Sequence, residues 1–487
     1  MAIVQNTSQQ PWGPVARYPV AIVQLFGEGG STVRSKFHLL RRRDLNATRI
    51  VAGSFAVIIL LGTVLLNLPE ASRSGQSPGL LTCLFTSTSS TCVTGLVLVD
   101  TATQWSMFGQ AVILGLIQLG GLGFISIMTL FSMLLRRKIG LSERLLLVSN
   151  FNLNSISGVV RLVRFALKWT FLFELSGALI LMTRFIPLYG IGQGIWLSVF
   201  HAVSAFCNAG FDLLGQGAPF QSLAPFAGDP VVLCTIMALI VIGGLGFFVW
   251  SDLADRRYSH GRLSLYTKIV LTMTAVLLAV GAGIVLAVEY YNPDTLGPMP
   301  LWQKIMNALF QSVTFRTAGF GVVNQGAFRD VTLALGCVLM LIGGSSGSTA
   351  GGIKTGTVAV LGLGLWSDLK GRANLVIGER SISRRQQSNA MTLTMTAVLL
   401  FLGGSMFLSL WDGLPFMEAS FEVASALGTV GLTTGLTPTL SQAGRVLIIT
   451  LMYLGRVGIL SFSIAFASRS HRAEDKIKYP TTNVMIG

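Results

Sequence analysis

TSTSSTCVTGL, residues 86–96, decides the fold because it returns three times, as HAVSAFCNAGF at 201–211, QSVTFRTAGF at 311–320 and EVASALGTVGL at 422–432. The shared glycines are Gly95, Gly210, Gly319 and Gly431, spaced 115, 109 and 112 residues apart. A phenylalanine stands ten positions before three of them (Phe85, Phe200, Phe421) and nine before the third (Phe310). A second glycine element follows each loop, at 120–124, 243–247, 343–347 and 455–458. Two phased markers repeated four times signal an internally repeated architecture. Four like units in a membrane would surround one axis, so a pore is the expectation.

Composition places these repeats in a bilayer. Of 487 residues, 52% are hydrophobic and only 11% charged, with 55 glycines and a mean hydropathy of +0.67. Such values belong to polytopic membrane proteins. Apolar runs at 50–68, 231–250 and 269–288 are long enough to cross a membrane. No apolar leader opens the chain, and five cysteines without framework spacing do not suggest a disulfide scaffold. Of 35 Lys and Arg, 27 fall in five clusters, at 1–49, 136–168, 256–268, 370–385 and 469–478. The positive-inside rule makes these segments, and both termini, cytoplasmic. Nucleic-acid binding would need aromatic residues interleaved with the basic ones, and that pattern is missing.

The expected organisation is a cytoplasmic tail at 1–45 and four repeats at 46–150, 151–262, 263–385 and 386–487, the last including a cytoplasmic C-terminal tail. Stretch 215–228 lengthens the second repeat. The apolar segment before each loop glycine has about a dozen residues, too few for a bilayer that needs roughly 20. It reads as a half-membrane helix followed by non-helical backbone lining a wet cavity. The fold class expected is therefore all-α: four helix–pore helix–filter loop–helix units around one central pore. A bare cation needs oxygens in place of hydration water, and a ring of backbone carbonyls supplies them. Turning carbonyls inward calls for dihedrals that glycine reaches without cost. The candidate ion site is Val93, Thr94, Gly95; Asn208, Ala209, Gly210; Thr317, Ala318, Gly319; and Thr429, Val430, Gly431, with the ion at the four glycines. Close helix packing is the competing reading for a membrane glycine; it is preferred for the GGLGF elements at 120–124 and 243–247.

Two features lie below the expected filter. Gly343, Gly344, Ser345, Ser346, Gly347, Ser348, Thr349, Ala350, Gly351 and Gly352 are ten small residues that break the third repeat's last helix. They suit a movable obstruction, the alternative being a hinge. Arg456 sits inside an apolar segment running to residue 467 and should face the bundle interior, where its charge opposes a cation. Lys354 ends the loop, free either to hold a carbonyl or to reach the cytoplasm. Arg316 flanks the third loop and is expected to brace it against Asp212 or Glu422. Cys92 and Cys207 read as packing residues, and His201 as a hydrogen-bonded anchor. No nucleophile, phosphate loop or acid–base pair points to an enzyme.

Taken together, VTGLVLVDT (93–101), FHAVSAFCNAGF (200–211), RTAGF (316–320), GTVGLTTGLTP (428–438) and the ending from Lys478 to Gly487 resemble the Trk/Ktr/HKT superfamily of potassium transporters, most closely the Ktr-type membrane subunit. The resemblance extends from about residue 50 onward. It implies a K+ uptake subunit, channel-like and driven by the membrane potential, in a bacterial inner membrane. It also implies a homodimer and a cytosolic regulatory ring that binds adenine nucleotides, with K+ as substrate ion, Na+ as a candidate activator and no covalent cofactor. The family's pore arginine corresponds to Arg456, and the family's gating loop to 343–352. Plant members with Ser at the first filter position prefer sodium; Gly95 here favours potassium. Phe315 stands where the family pattern has a smaller residue or proline. The ion-conducting subunit of an ATP-driven pump is the alternative, since it uses four such repeats too.

Overall fold

The four phased phenylalanines explain their own recurrence: Phe85, Phe200, Phe310 and Phe421 are completely buried, each on a short helix leading to a loop glycine. A computed structural model describes residues 49–123, 159–259, 263–371, 376–377 and 380–458 of the chain. All of these belong to one unit, Leu45–Gly487. The expected tail at 1–45, the end of the fourth repeat after residue 458 with its C-terminal tail, and residues 124–158 lie outside the described residues.

Helices α1 (Arg49–Leu66), α2 (Leu80–Thr91), α3 (Thr101–Gln104) and α4 (Met107–Leu122) come from the first repeat. The second supplies α5 (Val159–Tyr189), α6 (Ile191–Phe206), α7 (Pro230–Leu245) and α8 (Phe247–Ser259). The third supplies α9 (Leu265–Glu289), α10 (Leu301–Thr314), α11 (Asp330–Leu341) and α12 (Thr355–Leu369). The fourth has α13 (Arg384–Trp411), α14 (Phe416–Gly428) and α15 (Gln442–Val457). Apart from isolated bridges, the regular structure of the described residues is helical except for one short ladder, β1 (Val376–Ile377) against β2 (Arg380–Ser381).

Among the described residues, α1, α5, α9 and α13 are long and apolar enough to cross a membrane. Their outer faces carry exposed apolar side chains such as Leu61, Leu175, Val280 and Leu399, which suits contact with lipid. The four short helices, α2, α6, α10 and α14, sit inside. The hydroxyl-rich run of α2 from Thr86 to Thr91 is wholly buried, and Ser87 Oγ donates to Ile59 O on α1 at 2.7 Å. The helix that follows the loop in each repeat packs on the short helix of the next: α4 on α6, α7 on α10, α11 on α14 and α15 on α2. That cyclic pattern closes the four units into a ring.

Two expectations need correction. Residues 231–250 read as one apolar span, but the helix breaks at Gly246 and α7 meets α8 at an 89° bend. The apolar segment around Arg456 was expected to continue unbroken to residue 467, but α15 ends at Val457 with Gly458 at a φ of 94°, and 459–467 lie outside the described residues. In both places an apolar run continues across a glycine with positive φ, which composition alone cannot reveal.

A four-loop ring with an obstructed inner face

The ring closes at the loop glycines themselves. A Cβ placed on Gly95 would lie 3.1 Å from the Cα of Gly210, and one on Gly210 would lie 2.7 Å from that of Gly319. The same construction on Gly319 meets Gly431 at 3.3 Å, and on Gly431 meets Gly95 at 2.9 Å. All four glycines have positive φ, at 98°, 69°, 83° and 98° in chain order. No side chain fits this aperture.

Two residues earlier in each loop, Val93, Asn208, Thr317 and Thr429 adopt left-handed backbone with φ of 56°, 58°, 67° and 52°. A β-branched residue there costs on the order of 1–3 kcal/mol, and such strain concentrates at functional sites. Three β-branched residues held this way, with Asn208 completing the set, mark the loops as built for a purpose other than stability. The next N–H holds the strained turn: Thr94, Ala209 and Val430 donate to Ser89 O, Ser204 O and Ser425 O, each at 2.8 Å. In the third loop Ala318 donates to Thr314 O at 3.1 Å, one residue closer in sequence. The tighter closure absorbs the residue missing between Phe310 and Gly319, so the loop keeps the common geometry with Phe315 packed against Phe421.

Hydroxyls that sequence reading passed over complete the frame. Gly95 N–H donates to Ser89 Oγ and Gly431 N–H to Ser425 Oγ, both at 3.0 Å. Ser204 Oγ and Thr314 Oγ1 donate to Phe211 O and Phe320 O, both at 2.7 Å. Their signal was legible, since a Ser stands six positions before three of the glycines and a Thr five before the other. With every pinning bond spent on N–H groups or on the carbonyl after the glycine, the carbonyls of all twelve candidate residues accept no hydrogen bond among the described residues. Buried carbonyls are seldom left so, and these suit a ligand that takes lone pairs. The neighbouring groups act as expected. His201 is buried with Nδ1 2.7 Å from Leu197 O, and Nε2 accepts from Leu213 N–H at 3.5 Å. Cys92 and Cys207 are buried packing residues.

Beneath the ring, residues 343–352 leave α11 and return to α12. The neck is zipped by Gly343 N–H to Ile353 O at 2.9 Å and Ile353 N–H to Leu341 O at 3.0 Å. Thr349 Oγ1 donates to Phe206 O at the end of α6, in the second repeat, at 3.1 Å. On the other side, Gly351 lies against Gly428 O and the Thr429 side chain of the fourth repeat. The second and fourth repeats face each other across the ring, so the loop crosses the axis. Lys354 Nζ donates to Ala350 O at 2.7 Å, which selects carbonyl anchoring over reaching the cytoplasm. Arg456 donates to Thr349 O, Gly120 O and Gly121 O, the last at 3.2 Å. The guanidinium therefore joins the loop to the open C-terminal turn of α4. The GGLGF elements pack as expected, and Gly455 packs in the same way: Gly120, Gly243 and Gly455 lie against the carbonyls of Thr91, Phe206 and Leu427, the last residue or last turn of a pore helix.

Arg316 is a correction. It reaches neither Asp212 nor Glu422; Nη2 donates instead to Gly343 O at 3.2 Å. Arg316 precedes its loop glycine and so lies on the side of the obstructing loop. Glu422 is committed to the segment that follows Gly431, accepting from Thr433, Thr434 and Thr437.

Comparison with known proteins agrees with this geometry. Residues 27–476 match the TrkH family, described as cation transport proteins. The chain is 40% identical over 450 residues to the potassium/sodium uptake protein NtpJ of Enterococcus hirae, covering 92% of this chain and 98% of that one. It is 41% identical over 440 residues to the Ktr system potassium uptake protein B of Bacillus subtilis, covering 90% and 96%. Among solved structures, the potassium transporter TrkH from Vibrio parahaemolyticus superposes with a TM-score of 0.68 at 17% identity, covering 87% and 85%. At that identity the likeness is one of fold.

Proposed function

This chain belongs to the TrkH family of cation transport proteins, as a Ktr-type membrane subunit, and from that premise we propose that it conducts K+ through the four-loop ring into a bacterial cell. It is a transport protein, not an enzyme. The observation that carries the reading is closure of the ring, with Gly95, Gly210, Gly319 and Gly431 backbone to backbone and the loop carbonyls free to replace hydration water. Four pore-helix C-termini aim their partial negative charge toward the same place. A potential of 100 mV contributes about 2.3 kcal/mol per charge, enough for roughly fifty-fold accumulation without a pump.

Residues 343–352 and Arg456 are read as the gate, supported by the loop's course between opposite repeats. The basic inner segments and the ending from Lys478 to Gly487 are read as the dock for a homodimer and a cytosolic ring binding adenine nucleotides. Na+ is read as an activator, and both termini as cytoplasmic.

The test is K+-dependent growth of an uptake-deficient bacterium expressing the chain, followed by flux in vesicles with and without Na+. K+ uptake that follows an imposed potential in the absence of ATP supports the reading. Uptake that needs ATP hydrolysis by a co-purifying ATPase would instead identify a pump subunit. Deleting residues 479–487 should weaken dimer or ring assembly in native mass spectrometry while membrane insertion persists.

A further inference from the structure

The break between α7 and α8 and the docking of the obstructing loop use the same hydrogen-bonding groups. In an uninterrupted helix, Gly243 O, Gly244 O and Leu245 O would accept from the N–H groups of Phe247, Phe248 and Val249. Here Gly243 O accepts from Thr349 N–H at 3.4 Å and Gly244 O from Ser345 N–H at 3.0 Å. Leu245 O accepts from Ser345 Oγ. Phe247 N–H, turned away from Gly243, donates to Gly347 O at 2.9 Å. The loop thus supplies the bonds that the helix gives up, and takes one of the donors that the break sets free.

We propose that the α7–α8 segment is a two-state element: straightening at Gly246 takes back these carbonyls and expels the loop, and bending re-docks it. The inference rests on the reading of residues 343–352 as the gate. Loop docking and helix continuity compete for three acceptors and one donor, so the two cannot coexist. Because the exchange is one hydrogen bond for another, the two states differ little in bonding and a small bias decides between them. Several contacts hold the bent state. Trp250 Nε1 donates across the corner to Ile242 O at 3.1 Å. Tyr266 OH donates to Ser346 O at 3.2 Å. The Phe248 ring covers Gly347. Gly246 itself has a φ of 88°, and a Cβ there would lie 2.7 Å from Ser345 Oγ and 3.0 Å from Ser346 O. Beyond the corner, α8 leads into the basic segment that the charge pattern places in the cytoplasm. A cytosolic partner that moves α8 would therefore act on the loop through Gly246.

The experiment uses the full chain in lipid nanodiscs, with spin labels at Cys234, exposed on α7, and at a cysteine replacing Leu253, exposed on α8. From the helical rise, the two backbones are about 21 Å apart across a right-angle corner and about 29 Å apart in a straight helix. The parent should show mainly the shorter distance. Gly246→Ala, which disfavours the corner, should shift the population to the longer distance and raise K+ flux about fivefold, the equivalent of one lost hydrogen bond. Ser345→Ala leaves the helix sequence intact and removes only a loop hydroxyl, yet should lengthen the same helix and raise flux. It carries the test if Gly246→Ala folds poorly. An unchanged distance in Ser345→Ala, or a longer distance without faster flux, overturns the inference. If a loop-shortened chain conducts faster while Ser345→Ala does not straighten the helix, the gate stands and the switch falls. If the loop-shortened chain conducts no faster than the parent, the gate reading falls and takes this inference with it.

Discussion

The guanidinium of Arg456 donates to the carbonyl oxygen of Thr349, joining the last turn of α15 to the loop that crosses beneath the ring. Its other nitrogen caps Gly120 and Gly121, whose carbonyls end α4. A cation at a helix C-terminus is favourable in itself. The residue therefore ties the crossing loop to α4 and puts positive charge beneath the four-loop ring.

Arg456→Ala removes both effects. K+ flux should rise about tenfold, the equivalent of one charge-assisted hydrogen bond lost from the closed arrangement. Arg456→Lys keeps the charge without the planar fork and should fall between the two. Shortening the loop and removing Arg456 together should give less than the product of the single effects, because the groups touch. Flux measurements at equal protein amount check this, and variants no faster than the parent would show that the loop is only a hinge.

Gly95→Ser places a Cβ against Ala209 O and Gly210. The K+ over Na+ preference should fall about fivefold or more, the lower end of the strain such a side chain introduces. Gly413 also has positive φ but open space around it, so Gly413→Ser should leave the preference unaltered. Ion competition in reconstituted vesicles decides, and equal selectivity in both variants would remove Gly95 from the filter.

Arg316 lies with the loop and not with the outer acids. Arg316→Met and Asp212→Asn should therefore be additive within about 0.5 kcal/mol in a double-mutant cycle on flux. Arg316→Met combined with a shortened loop should not be additive. Strong coupling between Arg316 and Asp212 would restore the outer brace expected from the sequence.

Glu422 is fully buried and accepts from Thr433 Oγ1, from Thr434 N–H at 3.0 Å and from Thr437 Oγ1 at 2.6 Å. Glu422→Ala leaves these donors without an acceptor, at a cost of roughly 3 kcal/mol or more. Thermal unfolding in detergent should show a clear drop in midpoint, with Glu422→Gln in between. A midpoint equal to the parent's would mean that the segment after Gly431 is held by other contacts.

The fourfold plan was legible because its markers obey local rules. A buried Phe, a helix too short to span and a glycine where no side chain fits recur at nearly constant spacing, and each has a physical cause visible in one dimension. The departure in the third repeat could be read too, as one residue fewer after Phe310; the structure shows where it is absorbed, in the shorter closure to Thr314. Ser89, Ser204, Thr314 and Ser425 were equally phased, but their roles needed the loop's path.

What the sequence alone determined is therefore the repeat, the half-helices and the glycine aperture, since these follow from periodicity, length and backbone sterics. Only the tertiary structure decided the partners of the lone polar groups. Arg316 turned to Gly343 instead of an acid, Arg456 found the end of α4, and an apolar run broke at Gly246 because a loop about a hundred residues away satisfies its carbonyls. Hydrogen bonds between distant segments leave no periodic trace in a chain. They are set by which ends meet when the ring closes.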